Sequence, residues 1–311
     1  MLPFKIQLVL FYFHRVLNAD YSKLKPTSIR RANAKTWPRQ KRIAEFPSPE
    51  MEKVENLEIP VRDGSQIPVR IYRPTQEENL KTIVFYHGGG FVLRDIESHD
   101  DLCRRIAKKT GALVISVGYR LAPEYKFPIP VYDCYDALLW ASSNAAAYGG
   151  NPKDLVVMGD SAGGNLATVT SILSRDENGP KIAKQVLIYP AADARLNHPS
   201  IDKFKDGYLL TKDMMHWFVD HYAKTPEDKL NPLMSPLLTE DLSNLPSAFV
   251  STSDHDPLKD EGEAYYAKLL AAGNQAIFKE YKNTIHGFAN IPRISKQANV
   301  LVDDIAAFLA N

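Results

Sequence analysis

Cysteine is nearly missing from this chain of 311 residues: Cys103 and Cys134 stand alone, each inside a stretch with helical patterning. Two isolated thiols are no disulfide framework and read as buried small apolar residues of a cytosolic protein. Sequence alone leaves open whether they pair. Charge of one sign is equally lacking, since the net charge of +1 gives no reason to expect nucleic acid or an acidic membrane as partner. The local exception is Arg30, Arg31, Lys35, Arg39, Lys41 and Arg42, a run of the kind that is usually a solvated face. No apolar run is long enough for a bilayer. The N-terminal stretch from Leu2 to Leu17 is interrupted by Lys5, Gln7, His14 and Arg15, and no small-residue cleavage site marks a signal peptide. It reads as an amphipathic helix packed on the body of a cytoplasmic protein, with no stable membrane insertion. Repeats and low-complexity segments are absent too, and the 44% hydrophobic and 24% charged fractions are those of an ordinary globular protein. The length suits one large α/β domain with insertions.

What is present is alternation. Val54–Val61 and Ile67–Tyr72 read as strands joined by the hairpin signal Asp63-Gly64. Thr82–Tyr86, Ala112–Val117, Leu155–Met158 and Gln185–Tyr189 are short apolar runs suited to strands buried on both faces. Helical patterns over Asp101–Lys109, Val131–Tyr148 and Leu166–Leu173 separate them, and Ala248–Ser251, Glu261–Ala272, Ala276–Tyr281 and Ser295–Leu309 continue the series. This order predicts an α/β fold, a mostly parallel central sheet with helices on both faces. Two segments break the alternation: the first 50 residues, and roughly 191–246, with a helix around Lys212–Ala223. Long insertions after sheet strands sit where ligands bind in such folds and are natural lids.

The sharpest local signal is Gly159-Asp160-Ser161-Ala162-Gly163-Gly164-Asn165. A strand, a tight turn and a helix place one serine at the apex, strained and flanked by small residues. Alone, the motif also fits a Gly-rich phosphate turn. A nucleophilic serine needs a base, a group orienting that base, and donors for the oxyanion. His87-Gly88-Gly89-Gly90 comes directly after the Thr82–Tyr86 strand and offers bare N–H groups, joined by the Ala162 N–H. A P-loop would carry Gly-Lys-Ser/Thr there, whereas Phe91-Val92 stand in those places. Of eight histidines, His286 has the right position, just past the last strand. His255 is a decoy beside carboxylates, His87 holds its own loop, and His216 and His221 lack the company of a metal site. The orienting acid lies among Asp254, Asp256, Asp260 and Glu261, giving the order Ser…Asp…His. Asp260 and Glu261 read as first-turn acids complementing a helix dipole. Asp254 and Asp256 stay unseparated by pattern.

These residues resemble the hormone-sensitive lipase family, the bacterial family IV carboxylesterases. The likeness runs from about Glu58 to Phe288 through His87–Val92, Tyr119–Glu124, Phe127-Pro128, Gly159–Ala167, Ile188–Pro190, Asn231–Leu233, Ser235–Leu237, Asp256–Gly262 and His286–Phe288. Gly118 and Lys259 depart from residues frequent in the family and leave local loop contacts open. The resemblance implies an α/β-hydrolase fold with Ser161 as nucleophile, His286 as base and Asp256 as its acid. It implies oxyanion donors at Gly89, Gly90 and Ala162, with Gly88 a further candidate. It also divides the chain into 1–50 (N-terminal part of a helical cap), 51–190 (hydrolase core), 191–246 (cap insertion) and 247–311 (core, continued).

The function expected is hydrolysis of short- to medium-chain esters through an acyl-enzyme, with a small-molecule ester as partner and no metal or cofactor. The same machinery serves an amidase or a deacetylase of acetylated or formylated small molecules. A non-catalytic receptor of this fold lacks the histidine, and His286 is present. A lipase working at an oil surface wants an apolar lid, whereas this insertion carries Asp213, His216, Asp220 and Lys224 beside Trp217 and Phe218. If Ala276–Tyr281 is a sheet edge, relatives imply a homodimer through that side.

Overall fold

Apolar residues that run without polar interruption leave a strand no solvent face, so it must be covered on both sides. The central strands of this computed structural model, which describes residues 2–16 and 23–311, each hold a stretch buried on both faces, polar residues such as Gln185 and Ser251 included. They are β3 (Leu80–Tyr86), β4 (Leu113–Val117), β5 (Gly150–Asp160), β6 (Ile182–Ile188) and β7 (Ser247–His255). With β1 (Lys53–Pro60), β2 (Gln66–Arg73) and β8 (Ala276–Ile285) they form one sheet ordered β1-β2-β4-β3-β5-β6-β7-β8. The Asp63-Gly64 turn closes β1 against β2, and β2 pairs antiparallel with β4; β3 through β8 run parallel. The chain folds as an α/β-hydrolase.

Side-chain alternation assigns the two layers. Val84 and Tyr86 join one core with residues of α4 (Ile129–Asn144), α5 (Ala162–Asp176) and α8 (Lys259–Ala271), such as Leu138, Leu166 and Leu269. Ile83 and Phe85 join the other, with Ile106 of α3 (Asp100–Thr110) and Leu301 of α9 (Gln297–Ala310). Several elements differ from the sequence pattern. The Val131–Tyr148 helix stops at Asn144 and tightens into a 3-10 turn over Ala145–Tyr148. Strand β5 starts at Gly150, ahead of a register shift at Leu155/Val156 that the apolar run does not reveal. Strand β8 continues to Ile285 and stands at the sheet edge.

Outside the alternation lie α1 (Phe4–Val16), α2 (Pro26–Ala44), α6 (Pro199–Lys203) and α7 (Lys212–Tyr222). Each is tied down locally. Ile6 and Leu10 of α1 pack on Ile285, and Arg30 of α2 donates to the carbonyls of Val92 and Ala122. Trp217 of α7 donates to the Leu24 carbonyl at 3.3 Å, and the Tyr222 ring stacks on Phe91 at 3.9 Å. No helix among the described residues is long and apolar enough to cross a membrane.

The loop after β4 is fixed by a buried ion pair. Asp133 is 1% exposed; it accepts from the Arg120 N–H at 2.9 Å and from the Arg120 guanidinium at 2.6 Å. Removing Asp133 leaves the Arg120 guanidinium with only the more exposed carboxylate of Asp63, 2.7 Å away, and its own N–H without that acceptor. Asp133→Ala is expected to lower unfolding free energy by about 3 kcal/mol, read from urea melts; a loss below about 1 kcal/mol would mean water replaces the carboxylate.

Candidate active site

Four segments of the chain reach one edge of the sheet because their strands are parallel and in register. Tyr86 stands beside Gly159, and His255 beside Ile285. Leaving β3, β5, β7 and β8, the chain therefore delivers His87–Gly90, Ser161, Asp256 and His286 to the strands' C-terminal ends, where α/β sheets bind ligands.

Ser161 has φ 57° and ψ −120°, a strained pair for a residue with a side chain. Neighbouring backbone holds it there: its N–H donates to Ile188 O at 2.9 Å, and its carbonyl accepts from Asn165 and Ala191. The turn also requires Gly163, since any Cβ there would strike the Tyr86 carbonyl. The half-buried Ser161 hydroxyl lies 2.9 Å from His286 Nε2, and His286 Nδ1 lies 2.7 Å from Asp256 Oδ2. Asp256 is wholly buried, and its Oδ1 accepts from the Leu258 N–H at 2.9 Å.

Asp254, which pattern could not separate from Asp256, is engaged elsewhere. Its oxygens accept from the N–H groups of Asn283 and Thr284 and meet His255 Nδ1 at 2.8 Å. Burial works against its charge, yet those N–H groups and the His255 ring hold it below the ordinary carboxylate value. Glu261 differs from the helix-dipole expectation. It is buried, accepts from Ala192 N–H at 2.7 Å, and is pushed well above the ordinary value by burial and by the charges of Asp193 and Asp256.

The glycine loop sorts its donors. Gly88, expected among the oxyanion donors, is not free to be one: its N–H donates to Asp160 Oδ1 at 2.8 Å inside the protein. The N–H groups of Gly89 and Gly90 have no acceptor among the described residues, and both glycines are only half-buried. Ala162 opens α5, so its N–H is one of those a helix cannot satisfy internally. Phe218 of α7 lies over Gly90 so closely that a Cβ there would enter its ring. Leu209 approaches Gly287, beside His286. Apolar side chains from the 191–246 insertion thus flank both ends of the serine–histidine pair.

Sequence reasoning missed Asp160, the variable residue of the serine motif. It is buried and meets His99 Nε2 at 3.1 Å, Gly88 N at 2.8 Å and Asn290 Nδ2 at 3.1 Å. Burial opposes its charge, but His99 and the Gly88 N–H hold it below the ordinary value. The signal was available: a carboxylate at a turn walled by glycines has no room to reach water and must find donors inside. His87 completes the loop. Its Nδ1 donates to Gly88 O at 2.8 Å, its carbonyl accepts from Tyr119 Oη at 2.7 Å, and its ring stacks on Tyr119 at 4.3 Å.

Comparison with known proteins shows the family. A family model described as the alpha/beta hydrolase fold matches residues 83–290. An arylesterase of Saccharolobus solfataricus is 40% identical over 238 residues, covering 76% of this chain and 78% of that protein. An ethyl acetate hydrolase of Pseudomonas putida is 38% identical, covering 79% of each. Among solved structures, a hyperthermophilic esterase from the archaeon Pyrobaculum calidifontis superposes with a TM-score of 0.93 at 41% identity, covering 99% of this chain and 97% of that one.

The His87 ring carries a pH dependence. Burial, reinforced by His99, holds it down to about 4. The folded protein keeps the ring neutral while the unfolded chain protonates near pH 6.5. Its stabilisation is therefore complete above about pH 6.5 and is lost as pH falls towards 4, by about 3 kcal/mol in all. Urea melts of the wild type and His87→Gln at pH 7 and about pH 4.5 are expected to show a flatter dependence in the variant. Equal slopes would remove His87 as the source.

Proposed function

This chain belongs to the α/β-hydrolase family, among its hormone-sensitive-lipase-type esterases, and from that we propose a serine carboxylesterase acting on short- to medium-chain esters. The observation that carries the reading is the Ser161–His286–Asp256 chain, at 2.9 and 2.7 Å, on the sheet edge that also receives Gly89 and Gly90, whose N–H groups have no acceptor among the described residues. Ser161 Oγ attacks the ester carbonyl carbon while its proton passes to His286 Nε2. Asp256 accepts the Nδ1–H and stabilises the imidazolium that forms. The carbonyl oxygen, now negative, takes hydrogen bonds from Gly89, Gly90 and Ala162, of which each is worth about 3 kcal/mol in comparable sites. As the C–O bond breaks, Nε2 returns the proton to the leaving alcohol. A water deprotonated by the same nitrogen then attacks the acyl-enzyme; the carboxylic acid leaves and Ser161 regains its proton.

Residues 1–50 and 191–246 are read as a cap over the acyl side of this centre. Phe218 above Gly90 and Leu209 near Gly287 support a hydrophobic, confined acyl site, which favours short chains over long ones. The two buried free thiols fit a cytoplasmic location, and β8, unpaired on its outer side, is where a second copy would add.

Ser161→Ala is expected to lower kcat by about 10⁶-fold and Asp256→Asn by about 10⁴-fold, with unchanged circular dichroism. Asp254→Asn is expected to lose far less activity; the reverse order would exchange the two acids. For the acyl site, p-nitrophenyl esters from acetate to palmitate should peak below C10 (about ten carbons) in the wild type. Phe218→Ala should raise kcat/KM for octanoate relative to acetate by about tenfold. An unchanged ratio would take Phe218 out of the acyl wall.

A further inference from the structure

The N-terminal helices carry charge and apolar surface that ester hydrolysis leaves unused. Residues 1–44 hold ten of the chain's 38 Lys and Arg but only one of its 37 Asp and Glu, Asp20. The cations of α2 divide by side. Arg30 and Lys41 turn inward: Arg30 pairs with Glu124 at 2.8 Å, and Lys41 lies 3.5 Å from Asp100. Arg31, Lys35, Arg39 and Arg42 recur every three or four residues, and all four are exposed. None of them has a carboxylate within ion-pair distance among the described residues.

Helix α1 supplies an apolar counterpart. Its inner residues Ile6 and Leu10 are covered by Ile285. Its outer residues Phe4, Leu8, Phe11 and Tyr12 follow helical spacing and are bare, Phe4 to 72% and Phe11 to 64%. Single exposed apolar residues are ordinary, but four aligned on one helix face mark a contact surface. The two helices meet at Arg293. Its N–H donates to Ala44 O at 3.0 Å, its guanidinium donates to Arg42 O at 2.7 Å, and its carbonyl accepts from Lys5 Nζ at 3.2 Å. Exposed Ile43 and Phe46 lie at the same junction, with Arg293 over the Phe46 ring. The helix with bare apolar side chains and the helix with unpaired cations therefore adjoin at Arg293.

We propose that α1 and α2 form a docking surface for an anionic lipid bilayer. An interfacial helix buries an apolar stripe among acyl chains while neighbouring cations meet headgroup phosphates. Nucleic acid would engage the four cations but leave the aromatic stripe in water. A second copy related by a two-fold axis would bring the same unpaired cations to the contact. The attachment is peripheral, since neither helix is long and apolar enough to cross. It also lies close to the chemistry, because Ile285 beneath α1 immediately precedes His286. Esters dissolved in the leaflet that the helices contact would then reach the site from the surface on which the enzyme rests.

The test is co-sedimentation of the full-length enzyme with vesicles of equal phosphatidylglycerol and phosphatidylcholine, and with pure phosphatidylcholine. Binding is expected to the anionic vesicles, at least about tenfold weaker on neutral ones or when salt rises from about 0.05 to 0.5 M. Replacing the four cations together (Arg31→Gln, Lys35→Gln, Arg39→Gln, Arg42→Gln) should weaken it about a hundredfold. Phe4→Ser with Phe11→Ser should weaken it at least tenfold, and both variants should keep the wild-type circular dichroism spectrum. The salt response of the wild type needs no variant to fold. No binding at low salt would overturn the proposal, as would equal binding to neutral vesicles. So would release from vesicles by duplex DNA at equal phosphate, or a solution dimer that Phe4→Ser with Phe11→Ser dissociates.

Discussion

A buried carboxylate must be hydrogen-bonded, and Asp160 meets that demand by drawing three separate stretches of chain to one point. Gly88 comes from the loop after β3, His99 from the start of α3, and Asn290 from the turn after His286. Because Asp160 immediately precedes Ser161, each of these bonds also fixes a distance to Ser161. The glycine loop cannot drift from the serine without leaving the carboxylate short of a partner. Nor can the segment that carries His286. The Ser161–His286–Asp256 geometry is thus maintained by a residue outside it.

The same loop has a second constraint on its outer side. Gly88 faces inward to Asp160, while the N–H groups of Gly89 and Gly90 have no acceptor among the described residues and Phe91 stacks on Tyr222 of α7. Helix α7 also receives the Phe127 N–H on the Tyr222 carbonyl at 2.9 Å. Helix α7, which carries Phe218 against Gly90, is therefore fastened to the glycine loop through Phe91 and to the loop after β4 through Phe127. In the proposed reading, changes in Phe218 or Tyr222 act on the acyl wall and on donor placement together.

Much of this was legible in the chain. Apolar runs such as Leu155–Met158 point to buried strands because four uninterrupted apolar residues between turn signals need cover on both faces and are too short for a helix. The turn at Ser161 was legible because its small neighbours have no other reason to cluster. The choice between Asp254 and Asp256 was not, because both come after one strand and differ only in which donors lie nearby. Those donors, the N–H groups of Asn283 and Thr284, come from the far end of β8. Gly88 was misread for a related reason: three consecutive glycines look alike until a buried acid claims one of them. The basic run near the N-terminus reads as a solvated face in sequence, and only packing separates its paired cations from its bare ones.

The order of the strands has a consequence for how the molecule fails. Ser161 directly follows β5, which is paired on both sides, whereas His286 follows β8, which among the described strands pairs with β7 alone. The bond between Ser161 and His286 spans 125 positions in the chain. Edge strands open at lower free energy than central ones. On heating, the outermost strand can loosen and carry His286 away while most of the sheet still stands. Loss of turnover would then run ahead of loss of secondary structure, and cooling would restore it, making the enzyme's own rate a gauge of sub-global opening at one margin of the fold.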